Sequence, residues 1–192
     1  MAAPFRILMV CTGNICRSPM AEQMLRQKFA QRNIKNVVVE SAGVYAMEGE
    51  PMTIEAGAAM SSSGYTPETH IAKQATAEII AGANLVLTAT QDHRGDIVRT
   101  LTRANRYTFT IKEFANLAAY VAQPDPDVEL PTATDLEDKL VITLMARGYA
   151  PELAAADIED PYQRGQVVFD ATREELDPLL DAIADWAVLN GK

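Results

Sequence analysis

Apolar residues follow two rhythms along the chain. Phe5 to Val10, "FRILMV", is a nearly unbroken apolar run, which predicts a first strand buried on both faces. The following "SPMAEQMLRQKFAQRN" changes to helical spacing, with Met20, Ala21, Met24, Leu25 and Phe29 on one face. Ser18 reads as the N-cap of that helix and Pro19 as its first residue, where a missing N–H costs nothing. Asn36 to Gly43 predicts a second strand ending in a loop of small residues. "MTIEAGAAMSSSG" reads as a short helix closed by Gly64, and "KQATAEIIAGA" as another. Asn84 to Thr90 predicts a third strand, "QDHRGDIVRTLTRA" a helix, Arg106 to Ile111 a fourth strand, and "KEFANLAAYVA" a further helix. Strands alternating with helices imply an α/β fold with parallel pairing and right-handed crossovers.

The rhythm then breaks. Gln123 to Lys139 carries prolines and carboxylates without a period and reads as a surface loop. "LEDKLVITLMARGY" predicts a helix after it, and "AADIEDPYQRG" a second loop. "ATREELDPLLDAIADWAVL" predicts the closing helix, with Leu176, Leu179, Leu180, Ile183, Trp186 and Ala187 as its apolar stripe. Pro178 implies that this helix begins near it or is kinked there. Neither repeats nor low-complexity tracts interrupt the pattern, and 192 residues suit a single domain.

Composition narrows the function classes. A net charge of -9 argues against a nucleic-acid partner and against a membrane held by charge. The apolar run at the N-terminus is too short for a membrane span or a signal peptide. Two cysteines and two histidines are too few for a common four-ligand zinc site, so no metal and no cofactor are expected. Two cysteines five positions apart, Cys11 and Cys16, do not make a disulfide scaffold; a reduced, cytoplasmic protein is expected. The carboxylates gather from Pro124 onward, which is expected of a solvated face.

The chemistry concentrates where the first strand meets the first helix, in "LMVCTGNICRSPM". A strand ending in a glycine-bearing turn that feeds a helix makes an anion site, because successive N–H groups point inward and the helix dipole adds positive potential. A cysteine at the start of that turn has its thiolate, the nucleophilic form, favoured by the same field. An arginine at its far end offers a planar fork for two oxygens of a phosphate. Cys11, five intervening residues and Arg17 therefore predict attack of sulfur on phosphorus and a phosphocysteine intermediate.

"CTGNICRSP" closely resembles the signature of the low-molecular-weight protein tyrosine phosphatases. "ESAGV" is similar to the family's loop after its second strand, "NLVLTAT" to its third strand, and "EDPY" to the loop that carries its general acid. The resemblance covers residues 5–121 and 156–190, with 123–155 standing out as an acidic insertion. It implies a three-layer α/β sandwich whose four-stranded parallel sheet has the order 2-1-3-4, with helices on both faces and the site at the C-terminal edge of the first strand. It also implies roles. Cys11 is the nucleophile, and Arg17 binds and stabilises the transferring phosphoryl group. Ser18 hydrogen-bonds the Cys11 sulfur. Asn14 holds the loop of Thr12, Gly13, Asn14, Ile15 and Cys16 in shape, supported by Ser41 and His70. Cys16 sits close enough to trap an oxidised Cys11 as a reversible disulfide. The implied substrate is a phosphotyrosine-containing protein, and the product is inorganic phosphate.

Cleaving a phosphate ester also requires a proton for the leaving oxygen. Two Asp-Pro pairs compete, Asp125-Pro126 and Asp160-Pro161, with Asp157 as a third candidate. Asp160 is preferred because Tyr162 and a single closing helix follow it, as in the family. Tyr162 is one expected wall of an aromatic slot. The family's other aromatic is replaced near Met47, with Tyr45 able to compensate. Ile15 resembles the tyrosine-specific branch, since relatives like the protein-arginine phosphatases carry Thr there. Arsenate reductases share this loop but usually read Ser-Gln after the arginine and use further cysteines; here Ser18-Pro19 follows and no cysteine lies beyond Cys16. A non-catalytic phosphate-binding domain is the remaining class, and an intact Cys11, Arg17 and Asp160 speak against it.

Overall fold

The structure, a computed structural model, describes residues 3–189. Position 190, the last covered by the family resemblance, lies outside them. Strands β1 (Phe5–Cys11), β2 (Val37–Gly43), β3 (Leu85–Thr88) and β4 (Thr108–Thr110) form one sheet in the order β2-β1-β3-β4, and every pairing is parallel. The helices are α1 (Arg17–Gln31), α2 (Ile54–Ser61), α3 (Ala77–Ala81), α4 (Gln91–Thr100), α5 (Ile111–Ala122), α6 (Leu136–Met145) and α7 (Gln166–Trp186).

The unbroken apolar run of β1 has a direct structural cause. Ile7 and Met9 point into the larger core with α1, α2, α5 and α7, and Leu8 and Val10 into a smaller one with α3 and α4. Val86 and its neighbours Leu85 and Leu87 divide between the same two cores. Both faces are covered, so no alternation with polar residues is tolerated. Strand β1 lies between β2 and β3, and the crossovers leave it in opposite directions. Cys11 and the loop after it therefore sit at the point where strand order reverses, where open α/β sheets leave a crevice.

Several boundaries differ from the sequence expectation. Helix α1 starts at Arg17 with Cys16 in the cap position, so Ser18 lies inside the first turn and is not the N-cap. Pro19 is still tolerated, since the first helical bond is made by Met20 N–H to the Cys16 carbonyl, 3.1 Å. The helix expected over residues 73–83 shrinks to α3, because Lys73 and Gln74 pair with Gly43 beside β2 and Thr76 caps the shortened helix. Strand β4 is shorter than expected: residues 102–106 form a 3-10 turn, and Thr110 caps α5 in a capping box with Glu113. Helix α7 starts at Gln166, after Gly165 at φ 81°, and carries Pro178 in its interior rather than at its start. The acidic stretch contributes α6, which buries Leu136, Leu140 and Ile142; Thr143 accepts the Trp186 indole N–H at 2.9 Å. No helix among the described residues is long and apolar enough to cross a membrane.

Candidate active site

The loop from Cys11 to Arg17 is shaped by where its carbonyls go. Cys11 O accepts from Val44 N, Thr12 O from Tyr45 N and Gly13 O from Met47 N, each at 3.0 Å. Asn14 O bonds His70 Nε2 at 2.7 Å. Ile15 O accepts from Thr53 N at 2.9 Å, and Cys16 O accepts from Met20 N at 3.1 Å. Six consecutive carbonyls are thus satisfied from outside the turn. The N–H groups of Gly13, Asn14, Ile15 and Cys16 donate to no acceptor among the described residues. Turning the carbonyls out turns the amides in, which makes a concave donor surface at the start of α1. Asn14 closes the turn in the left-handed region at φ 57°, a conformation its short amide side chain tolerates.

The Asn14 side chain is fully used. Its Oδ1 accepts from Lys73 N at 2.9 Å, and its Nδ2 donates to Ser18 Oγ and to Ser41 Oγ, each at 2.9 Å. Ser41 in turn donates its hydroxyl hydrogen bond to Glu22, which is buried and paired with Arg26 at 2.6 Å. An amide NH2 only donates, so Ser18 Oγ must accept from it. The Ser18 hydrogen then remains for Cys11 Sγ at 3.0 Å, with the Ala42 carbonyl as a longer alternative acceptor at 3.5 Å. The expected loop supports Asn14, Ser18, Ser41 and His70 are therefore brought together as one network around the sulfur. Glu22 joins it unforeseen: it is the one carboxylate of α1, and nothing beside it in sequence marks it.

Arg17 is 4% exposed and held on three sides. Its guanidinium donates to Ile158 O at 3.2 Å, to Thr12 Oγ1 at 3.3 Å and to Asp160 Oδ2 at 2.6 Å. Its Nε is buried without a partner among the described residues. A buried guanidinium nitrogen left unpaired is costly unless a ligand takes it. Asp160 is half-exposed and anchored through Oδ1 to Tyr162 N at 3.2 Å. The rival carboxylates are engaged elsewhere: Asp125 with Tyr120 OH at 3.3 Å, and Asp157 with Gln91 N at the start of α4, at 2.8 Å.

Cys11, Thr12, Gly13, Ile15, Cys16, Arg17, Tyr45, Met47, Asp160 and Tyr162 line one cavity of about 140 Å³. All three expected wall residues thus stand around the loop. Met47 is fixed there by its backbone bond to Gly13. Cys16 is buried beside Thr53 Oγ1, at 3.7 Å, and burial pushes its thiol up to about 12. Both cysteines are free. His93, not foreseen from the sequence, also reaches the loop and is taken up below.

Gly43 seats the two loops against each other. A Cβ placed there would lie 2.4 Å from the Thr12 carbonyl oxygen and 3.0 Å from Ala46 Cα, both backbone atoms that cannot swing away. Gly43→Ala is expected to destabilise the fold by about 1–3 kcal/mol and to lower kcat/KM by displacing Thr12. Denaturant midpoints and steady-state rates check this; an unchanged rate would show that the cradle tolerates the shift.

The fold and loop define an α/β protein with an oxyanion cradle at the end of its first strand. The family model "Low molecular weight phosphotyrosine protein phosphatase" matches residues 6–140, and the chain belongs to this family of hydrolases. Among its relatives, a protein-arginine-phosphatase of Geobacillus stearothermophilus is 32% identical over 95% of each chain. A low molecular weight protein-tyrosine-phosphatase of Acinetobacter johnsonii is 38% identical over 55% of this chain and 70% of its own. Among solved structures, a low molecular weight protein tyrosine phosphatase from T. tengcongensis superposes with a TM-score of 0.70 at 31% identity, covering 94% of this chain and 98% of that one.

Proposed function

We propose that this protein removes phosphate from phosphotyrosine in protein substrates through a phosphocysteine intermediate. The observation that carries the proposal is the unpartnered Arg17 Nε together with the free loop amides above Cys11. A phosphoryl group is the ligand that uses all of them at once.

In this reading, the cradle holds the three non-bridging oxygens and Cys11 attacks phosphorus in line with the leaving oxygen. The S–P bond forms as the P–O bond to the substrate breaks, and Asp160, having taken up a proton from solvent as it leaves Arg17, gives it to the departing phenolate. Binding must first draw Asp160 off Arg17, since both compete for the same guanidinium. In the second step Asp160 takes a proton from water, which attacks phosphorus and expels Cys11 as thiolate, with inorganic phosphate as product. The Ser18 hydroxyl, 3.0 Å from the sulfur, donates to that leaving thiolate and stabilises it. No metal or cofactor enters. Cys11 must stay reduced to work, which favours a cytoplasmic location.

The walls favour an aromatic substrate. Ile15, Met47, Tyr45 and Tyr162 present apolar or aromatic surface to the mouth, and Asp160 is the one carboxylate among the lining residues. A phenyl ring needs no more, whereas a phosphoguanidinium asks for additional acceptors. The near-full-length arginine phosphatase relative keeps phosphoarginine as the second reading. The deciding experiment compares kcat/KM for matched phosphotyrosine and phosphoarginine peptides, with p-nitrophenyl phosphate as reference and arsenate plus thiol as a further arm. Preference for the phosphoarginine peptide would replace the tyrosine assignment, and arsenate reduction without ester hydrolysis would replace both.

Cys16 is proposed to protect Cys11 by condensing with its sulfenic acid to a disulfide, releasing water. A thiol pushed up to about 12 attacks slowly, so proximity must supply the rate. Cys16→Ser is expected to keep most activity but to lose recovery by dithiothreitol after mild peroxide. Equal recovery in both proteins, with intact mass showing no disulfide, would reduce Cys16 to a packing residue.

A further inference from the structure

Helix α4 sends one side chain back to the loop. Thr90 caps the helix, accepting His93 N–H at 3.2 Å, and the same hydroxyl bonds His93 Nδ1 at 2.8 Å. The other ring nitrogen, Nε2, bonds Thr12 Oγ1 at 2.8 Å. Thr12 Oγ1 in turn accepts from Arg17 Nη2 at 3.3 Å. The ring is buried, and both of its nitrogens are used.

We propose that His93 is a positioning residue for Arg17: it fixes the Thr12 hydroxyl, and through it the guanidinium arm that must face the phosphoryl group. The inference rests on the phosphatase reading for its consequence, but its geometry does not depend on it.

The contact matters most when the site is loaded. Nη2 is held by both Thr12 and Asp160, at 3.3 Å and 2.6 Å. A bound oxyanion draws Asp160 away toward the leaving oxygen, and Thr12 is then the remaining protein anchor of that nitrogen. A free threonine hydroxyl samples several rotamers, whereas one bonded to a buried ring does not. Burial first, and then the facing Arg17 guanidinium, hold the imidazole below its usual range, although Asp96, Asp160 and Asp157 pull the other way. The neutral ring donates at one nitrogen and accepts at the other, which serves Thr90 and Thr12 together in either tautomer.

Two substitutions separate positioning from packing. The amide of Gln reaches where Nε2 lies and can still partner Thr12. The amide of Asn reaches only where Nδ1 lies, so it keeps Thr90 and leaves Thr12 loose. His93→Asn is expected to lower kcat/KM for p-nitrophenyl phosphate and to weaken vanadate binding, each about tenfold, the loss of one hydrogen bond to a charged network. His93→Gln is expected to stay within about threefold of wild type, with a Tm matching that of His93→Asn. Thr12→Val with His93→Asn is expected to be no worse than Thr12→Val alone. Equal losses in the Asn and Gln variants, or losses that multiply in the double variant, would overturn the proposal. If His93→Asn does not fold, Thr12→Ser against Thr12→Val asks the same question from the other side, and equal vanadate affinity in those two would overturn it. Wild-type protein that binds vanadate but hydrolyses no phosphate ester would overturn the functional reading instead, and vanadate affinities across the variants would still decide the role of His93.

Discussion

Cys11→Ser is expected to lose steady-state turnover by more than about 10³-fold, the order seen when a covalent nucleophile is removed, while phosphate and vanadate still bind. Binding persists because the cradle is made by groups other than the sulfur. The loop carbonyls are tied down by Val44, Tyr45, Met47, His70 and Thr53, and the Asn14 amide is fixed by Ser18, Ser41 and Lys73. None of these bonds uses Sγ. Turnover fails for two reasons. A hydroxyl needs a base, and the group hydrogen-bonded to the Cys11 side chain is the Ser18 hydroxyl, which is not one. A phosphoserine, if it forms slowly, would also have an alkoxide as its leaving group, which water cannot expel without much more acid assistance than a thiolate needs. The measurement is steady-state hydrolysis of p-nitrophenyl phosphate beside phosphate titration by calorimetry, with intact mass to detect a stranded phosphoryl group. Turnover within tenfold of wild type would exclude sulfur as the nucleophile.

The parts of this protein that could be read from sequence are those whose signals are local. The run Phe5–Val10 announced a two-sided strand, and the spacing of Cys11 to Arg17 after it announced the cradle. Strand order and fold layers followed from a family resemblance that the matching family and the parallel pairings bear out. What escaped depends on contacts distant in sequence. The helix expected over residues 73–83 lost its first turn to pairing with Gly43, a bond formed only once β2 is in place. Pro178 implied a helix start or a kink, and α7 runs through it from twelve residues earlier, because Gly165 supplies the turn and the buried stripe from Phe169 to Trp186 outweighs one missing hydrogen bond. Glu22 and His93 carry no local mark. Each matters through a partner far along the chain, Ser41 for the one and Thr12 for the other.

Asp160→Asn is expected to act in opposite directions on chemistry and on binding. Chemistry loses its proton donor. For phosphotyrosine peptides, whose leaving oxygen is basic, kcat is expected to fall about 10²- to 10⁴-fold. For p-nitrophenyl phosphate, whose leaving oxygen already tolerates negative charge, the fall is expected to be much smaller. Binding gains, because Asp160 Oδ2 lies on Arg17 at 2.6 Å and an oxyanion must compete with it for that guanidinium. An asparagine still hydrogen-bonds Arg17 but carries no charge, so the competitor is weaker and the approaching phosphate dianion no longer meets a carboxylate. Phosphate is therefore expected to inhibit the variant more tightly than the wild type, with the gain shrinking as salt is added, because Asp160 is half-exposed and screened. Leaving-group dependence of kcat and phosphate inhibition at two ionic strengths test both halves on one protein. A silent Asp160→Asn beside a crippling Asp157→Asn would move the acid to the start of α4. A fall in kcat with phosphate binding weakened would mean that the ion pair with Arg17 organises the site rather than competing for it.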